Sequence, residues 1–263
     1  MPKKFTHSDG TETILKVKHY KYNENTLLKE EIKREFATLF LSVSNFCNMG
    51  CKMCFLTHFP IFKYNQKPLS PQDIIQNNIS ICSNLKYPKI KISFMGMGEG
   101  IFLHKNLQDI ATDLVGDKLF GVEVGTMLPF VSRDLKESLN GLKNGRLFYS
   151  LHSATQENRD KLITSKVSLK QAEEFLKDIV IKKVCHYTLI RDINDSDEEI
   201  RKAIKFCENT NAQLRILEFN KIGDLDITLR KKEVCNLLKN ECGDYKLCYS
   251  SGKKIRAACG MFF

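Results

Sequence analysis

The chain has 263 residues, enough for one α/β domain with a full core, and 42% of them are hydrophobic, which excludes a wholly disordered polymer. No apolar run approaches the roughly 20 residues of a membrane span, and no apolar segment follows the basic Met1-Pro2-Lys3-Lys4 start, so neither membrane insertion nor secretion is expected. A formal net charge of +10, from 41 Lys and Arg against 31 Asp and Glu, admits a polyanion such as RNA as partner and equally a solvated lysine-rich surface.

Residues 1–35 are expected to form an N-terminal extension and 36–263 one domain, because no repeat, low-complexity tract or Gly/Ser linker divides the chain. From Phe36 onward, β-type runs at 37–44, 89–95, 121–126, 146–151, 183–190 and 213–219 alternate with amphipathic helical patterns. Helix starts are marked. Ser70-Pro71-Gln72-Asp73 supplies a cap, a proline at the first helical position and an acid in the first turn. Ser168 with Gln171, and Ser196 with Glu199, have the spacing of capping boxes. After Ser196, Ile200, Ala203, Ile204 and Cys207 repeat at helical spacing and predict a core-facing stripe. Six strands alternating with helices predict an α/β fold with a parallel, right-handed array, here an incomplete (βα)6 barrel with a short N-terminal β extension.

Cys47, Cys51 and Cys54 form a C-x3-C-x2-C run after the first strand, with His58 the nearest further ligand type. Three thiolates on one tight loop suit three irons of a 4Fe–4S cubane whose fourth iron stays open; a zinc knuckle or an accidental cluster is the alternative. An open iron can chelate S-adenosylmethionine (SAM), and this spacing resembles the radical-SAM superfamily. Ten cysteines with no leader read as reduced thiols and ligands, hence an expected cytoplasmic location. Further polar motifs end later strands: Gly96, Gly98, Glu99 and Gly100 after the second, Ser150-Leu151-His152 at the fourth, Asn220 past the sixth. In βα barrels these carboxyl ends converge on one mouth. There Gly98 and its neighbours allow close backbone approach to a ligand, and Glu99 can accept from an ammonium group. Ser150 and His152 suit a ribose or carboxylate, with a purely structural histidine as the alternative. Cys259, flanked by Ala257, Ala258 and Gly260, is either a thiol pressed into a crowded site or an inert core cysteine. Basic clusters stand at Lys182-Lys183, Arg230-Lys231-Lys232 and Lys253-Lys254-Ile255-Arg256.

Taken together, the cysteine loop, Ile92 to Glu99, Ser150-Leu151-His152-Ser153, Asn194 to Glu198 and Ala257-Ala258-Cys259-Gly260 resemble the RlmN/Cfr family, collinearly from Ala37 to Met261. Ser8-Asp9-Gly10-Thr11 is similar to the strand-turn leading into that family's catalytic domain, while the family's large N-terminal accessory domain has no counterpart here. The resemblance implies a radical-SAM enzyme that methylates an adenine ring carbon of ribosomal or transfer RNA, with a 4Fe–4S cluster on Cys47, Cys51 and Cys54. It implies SAM contacts from Gly98, Glu99, Ser150, Leu151, His152 and Asn220, and an electron donor such as flavodoxin or ferredoxin. Cys259 matches the cysteine that SAM first methylates and that then delivers a methylene unit to the base. The chain departs from the pattern at Phe40, where the family has the second cysteine that resolves the RNA adduct; Cys185 and Cys248 are the substitutes on offer. It departs again at Gly125, Gly100 and Arg256, and the family's N-terminal general-base glutamate has only Glu30 and Glu31 nearby. Two alternatives remain open: the same radical chemistry on a peptide, small molecule or other nucleoside, and a non-catalytic Fe–S module that binds RNA or a partner.

Overall fold

In a computed structural model, residues 2–22, 26, 28–32, 35–58 and 66–248 are described. The six predicted runs appear as β5 (Phe36–Phe40), β6 (Lys89–Phe94), β7 (Leu119–Thr126), β8 (Arg146–Ser150), β9 (Lys182–Thr188) and β10 (Ala212–Leu217), each parallel to the next. A seventh parallel strand, β11 (Tyr245–Cys248), follows β10. It escapes the sequence pattern because it is four residues long and only Leu247 in it is buried. The N-terminal residues supply two antiparallel hairpins, β1 (Lys3–Thr6) with β2 (Glu12–Lys16), and β3 (His19–Tyr22) with β4 (Lys29–Ile32). The first hairpin pairs with β5 and the second with β11, at opposite ends of the strand order β1-β2-β5-β6-β7-β8-β9-β10-β11-β3-β4.

That placement determines the shape. Val17 and Lys18 alone separate β2 from β3, so Lys16 and His19 lie within about 11 Å. Laid flat, the strands from β2 to β3 would span about 38 Å. The sheet is therefore curled into an incomplete barrel, brought round by chain connection, and no pairing among the described residues joins β2 to β3.

The two faces of the sheet differ accordingly. Leu39, Ile92, Val122, Val124, Leu147, Tyr149, Tyr187, Leu214 and their neighbours point outward into the main core. They are covered by α2 (Pro71–Ser83), α3 (Leu107–Val115), α4 (Arg133–Asn140), α6 (Leu169–Lys177), α7 (Asp197–Thr210) and α8 (Lys231–Glu241), of which Ile74, Ile110, Leu139, Leu176, Ile200 and Leu238 belong to the same core. Alternate residues line the inside, a mix of charged and aromatic side chains: Lys91 donates to Glu123 at 2.9 Å, Arg146 reaches the same carboxylate at 3.3 Å, and the Arg215 guanidinium lies over Phe148 at 5.1 Å. Two short helices, α1 (Phe55–His58) and α5 (Gln156–Leu162), sit at the carboxyl ends of the strands. No described helix is long and apolar enough to cross a membrane.

Ser70 with Asp73 and Ser168 with Gln171 form reciprocal capping boxes. At α7 the expected box is one-sided. Ser196 accepts from the Glu199 amide, but the Glu199 side chain turns inward to the loop after β8. There it accepts from Ser153 Oγ at 3.2 Å, Ala154 N at 3.1 Å, Asn158 Nδ2 at 3.1 Å, Tyr187 OH at 3.3 Å and the Thr155 hydroxyl. Tyr187, Asn158 and Ser153 keep the carbonyls of Asn194, Ile193 and Thr155, but Glu199→Ala would take the shared acceptor from Ala154 N and the Thr155 hydroxyl and should lower unfolding stability by about 2 kcal/mol. Chemical denaturation measures it; a loss no larger than that of an exposed α7 variant such as Lys205→Ala would refute the role.

Candidate active site

The cysteine loop leaves β5 stitched to the chain leaving β6. Leu41 N donates to Ser93 O, Gly96 N to Leu41 O and Val43 N to Met97 O, each at 2.9 Å. This contact explains two glycines. A Cβ on Gly96 would lie 2.6 Å from the Leu41 carbonyl oxygen; one on Gly98, whose φ is +89°, would lie 2.9 Å from the Val43 and Ser44 side chains. The glycines thus let two loops of the protein close on each other, a role that precedes any ligand. Further along, Lys52 N bonds Leu162 O, Thr164 Oγ1 donates to Met49 O, and Cys54 N closes a turn on Cys51 O at 3.0 Å.

Cys47, Cys51 and Cys54 are all half-buried. Burial pushes the Cys47 and Cys51 thiols up, and at Cys51 the nearby Cys54, Cys47 and Glu99 add to it. Among the described residues no three His, Cys, Asp or Glu side chains converge on a single ion site. Three neighbouring cysteines on one loop fit a polynuclear iron–sulfur cluster, whose irons would displace the thiol protons on binding. His58 is committed elsewhere, with Nε2 at 2.8 Å from the Lys52 carbonyl. Around the loop, Met127, Leu162, Ile163, Ile190, Phe219 and Ile222 form an apolar cluster against which Cys51 packs, and Cys51 Sγ stands 3.8 Å from Met127 Sδ. Buried Asn220 follows Phe219 of that cluster, so its loop is brought beside the cysteines.

Glu99 is buried between the ends of β6 and β7, where it accepts from Met127 N at 3.1 Å and Ile101 N at 3.4 Å as well as from Thr126. Burial raises its carboxyl to about 7, against the opposing hydrogen bonds. An arriving ammonium group would hold it ionised. Ser150 ends β8 with a half-buried side chain on the inner face, whereas Leu151 is wholly buried. His152 has φ +50°, and its Nδ1 accepts from Thr188 N at 3.1 Å. Burial, with the charge of Arg159 adding, lowers its pKa to about 3. His152 is therefore neutral, with its proton on Nε2 as a donor. Asn194 holds this turn in place: its side-chain amide donates to the His152 carbonyl and, at 2.7 Å, to Thr188 O.

One site residue has no counterpart in the sequence reading. Arg159 of α5 is 1% exposed, and no carboxylate among the described residues forms an ion pair with it. Its guanidinium donates to the carbonyls of Ser150 at 2.5 Å, Leu151 at 2.6 Å and Met127 at 3.0 Å, and lies over the Tyr149 ring at 5.0 Å. One cation thus ties the ends of β7 and β8 together and leans on both Cys51 and His152. The available signal was a cation at helical spacing from Leu162, on the side of a short helix that has to be apolar.

Among the departures, Phe40 packs with Cys47 and Cys54 against Ile14, Leu56 and Met97, so a ring fills the space beside the cysteine loop. A Cβ at Gly125 would lie 2.6 Å from Met95 Cγ, so the Met95 side chain occupies the place any larger side chain there would take. Cys185 is wholly buried on the outer face, hydrogen-bonded with Cys207, and does not face the mouth; Cys248 stands on the inner face of β11, opposite Leu217. Cys259 and the basic cluster at 253–256 lie outside the described residues.

The two perturbed groups bend stability in opposite directions. Folded His152 lacks a proton that the unfolded chain binds below pH 6.5, so its contribution is full above that pH and lost as pH falls toward about 3. Folded Glu99 keeps to about 7 a proton the unfolded chain loses near 4.5, so its contribution is lost as pH rises across that range. The stability advantage of Glu99→Gln over the parent should grow between pH 4.5 and 7, and the cost of His152→Gln should shrink as pH falls below 6.5. Denaturant unfolding across pH decides this; parallel curves for parent and variants would rule out both assignments.

No protein-family model matches the chain. A probable dual-specificity RNA methyltransferase RlmN from Flavobacterium psychrophilum is 26% identical over 231 residues, covering 81% of this chain and 65% of the relative. A GTP 3',8-cyclase from Aquifex aeolicus is also 26% identical, over 236 residues, covering 84% of this chain and 70% of its own length. The chain spans about 65% of the length of the RlmN relatives, with 66% for the one from Akkermansia muciniphila. Among solved structures, a radical SAM methyltransferase from Sphaerobacter thermophilus matches 99% of this chain and 80% of its own at a TM-score of 0.71 and 17% identity, which establishes a shared fold. The fold shared with a radical SAM methyltransferase, the C-x3-C-x2-C loop at its mouth and the similarity to RlmN relatives over most of its length support an RlmN/Cfr-like radical-SAM family for this chain.

Proposed function

We propose that the protein is a radical-SAM methyltransferase that carries a one-carbon unit on Cys259 to an adenine ring carbon of RNA. The observation that carries this reading is the joining of the cysteine loop, the Gly98-Glu99 turn and the Ser150-His152 turn at one mouth, through Met127 and Arg159. The RlmN relatives support RNA as the substrate class. In this reading residues 36–263 are the radical-SAM domain, and 1–35 are an extension that supplies both edges of its sheet.

Cys47, Cys51 and Cys54 would hold a 4Fe–4S cluster, which with SAM and an electron from a flavodoxin or ferredoxin supplies a deoxyadenosyl radical. Glu99 is suited to accept from the amino group of SAM, because its carboxyl is fixed at the ends of β6 and β7 by two backbone N–H groups. Neutral His152 offers its Nε2 proton to a ribose hydroxyl or a carboxylate, with Ser150 and Asn220 as further polar contacts. Backbone contact from Gly98 and Leu151 completes the set. Arg159 adds fixed positive charge beside a loop that becomes strongly anionic when loaded. Cys259, as thiolate, would receive a methyl group from SAM, its sulfur forming the new S–C bond as the sulfonium loses one.

A second reading is favoured by two observations: the GTP 3',8-cyclase match, at 26% identity, falls within the 23–28% range of the RlmN relatives, and Phe40 stands where a resolving thiol is expected. In it the same radical chemistry acts on another substrate, such as a nucleotide.

Anaerobic reconstitution with SAM, reductant and total RNA, followed by mass spectrometry of the intact protein and its peptides, separates the two. A methyl group or a trapped nucleotide on Cys259 is expected. Unmodified Cys259 alongside released deoxyadenosine would overturn the methyltransferase reading and favour the second. If Phe40 blocks release, the trapped adduct should fall in Phe40→Cys, at a stability cost of about 3 kcal/mol for the lost ring. An adduct level unmoved by that substitution would acquit Phe40.

A further inference from the structure

At the amino ends of β8, β9 and β10, away from the cysteine loop, the molecule has a cavity of about 640 Å³. Arg146, Lys177, Lys182, Lys183, Arg215 and Lys246 line it, against a single acid, Asp244. Part of this charge is already answered. Glu123 takes Arg146 at 3.3 Å, Glu173 takes Lys177 at 2.9 Å, and Asp244 accepts from Gln213 at 2.6 Å. Lys183 reaches only a carbonyl, that of Ile179, at 2.6 Å. Lys182 and Arg215 have no carboxylate partner among the described residues.

Arg215 is the informative member. Its Nη2 donates to Gln213 Oε1 at 3.1 Å and its guanidinium is packed on Phe148, yet its Nε is sealed from solvent with no partner. A sealed cationic donor with nothing to donate to is unfavourable unless an anion completes it. Several cations in one concavity focus positive potential, and the volume suits a nucleotide-sized group better than a single small ion. Arg215 also stands in the same strand row as His186 and Ser150, neither of which lines the cavity.

We propose that this cavity is a phosphate-binding site, in which the Arg215 fork and the Lys182 ammonium hold a phosphate of a nucleotide or of an RNA strand. The site is separate from the cysteine mouth and does not depend on which reaction occurs there.

The test is calorimetric titration of the full chain with inorganic pyrophosphate, ATP and a short RNA oligonucleotide. Saturable pyrophosphate binding is expected, weakened about tenfold in Arg215→Gln and to a smaller extent in Lys182→Gln. Lys182 is exposed, so its variant reads the charge without disturbing the packing on Phe148. If the phosphate belongs to RNA, pyrophosphate competes with the oligonucleotide, and each substitution flattens the salt dependence of RNA binding by about one ion. If it belongs to a nucleotide, ATP competes and RNA binding is indifferent to both substitutions. Absence of binding by every probe, or equal affinity in parent and variants, overturns the proposal.

Discussion

Val17 and Lys18 join strands that stand at opposite ends of the strand order, and two residues cannot cross a flat sheet of that width. Curling is the only way to satisfy the connection, and it gives the sheet an inside. Strands of a parallel sheet covered on both faces read as continuous apolar runs. Here they alternate, because one face meets helices and the other meets the lumen. Lys91, Glu123, Arg146 and Arg215 can point inward because the lumen lets them pair, stack on Phe36 and Phe148, or reach water. The curl also brings the carboxyl ends of β5 to β10 round one rim.

At that rim the joining is made at backbone groups, by other backbone and by two buried side chains. Side-chain clasps alone would leave the freed peptide groups of seven strand ends unpaired. Instead Leu41 and Val43 continue the ladder onto residues 93–97, Asn194 takes the carbonyls of His152 and Thr188, and Arg159 takes three more. Arg is suited to this, since its planar fork serves several acceptors at once and stays charged when buried. The same burial keeps His152 neutral and raises the Glu99 carboxyl, so the mouth holds a fixed donor and an acceptor that an ammonium group would ionise. Such preset charges suit binding of a zwitterionic ligand.

The departures from the RlmN/Cfr pattern have packing reasons as well as chemical consequences. Phe40 is the ring against which Cys47 and Cys54 sit, and Met95 covers Gly125. Both positions are filled with apolar bulk beside the cysteine loop and the end of β7. In the proposed reading the cluster and cofactor contacts are retained and the changes lie where a substrate or an adduct would be handled. Similarity to the RlmN relatives and choice of substrate are therefore separate questions for this chain, and the cationic inner face bears only on the second.

Six strands, the starts of α2 and α6 and the stripe of α7 were legible in the sequence, because each rests on a period or a cap within a few residues. The cysteine spacing was legible for the same reason: its chemistry is contained in one loop. Elements whose meaning comes from distant partners were not. Glu199 has the spacing of a capping residue, yet the tertiary alternative of five donors in and around the loop after β8 outcompetes one local amide. Arg159 looks like a surface cation until three carbonyls are set around it. The N-terminal hairpins look like an appendage until they are seen at the two edges of one sheet. Local periodicity, caps and motif spacing by themselves determined the strand-and-helix order and the ligand types at the mouth. The closure of the sheet, the buried cation that binds its rim and the charge of its lumen were decided only in three dimensions, because each depends on contacts between segments that the chain brings together from far apart.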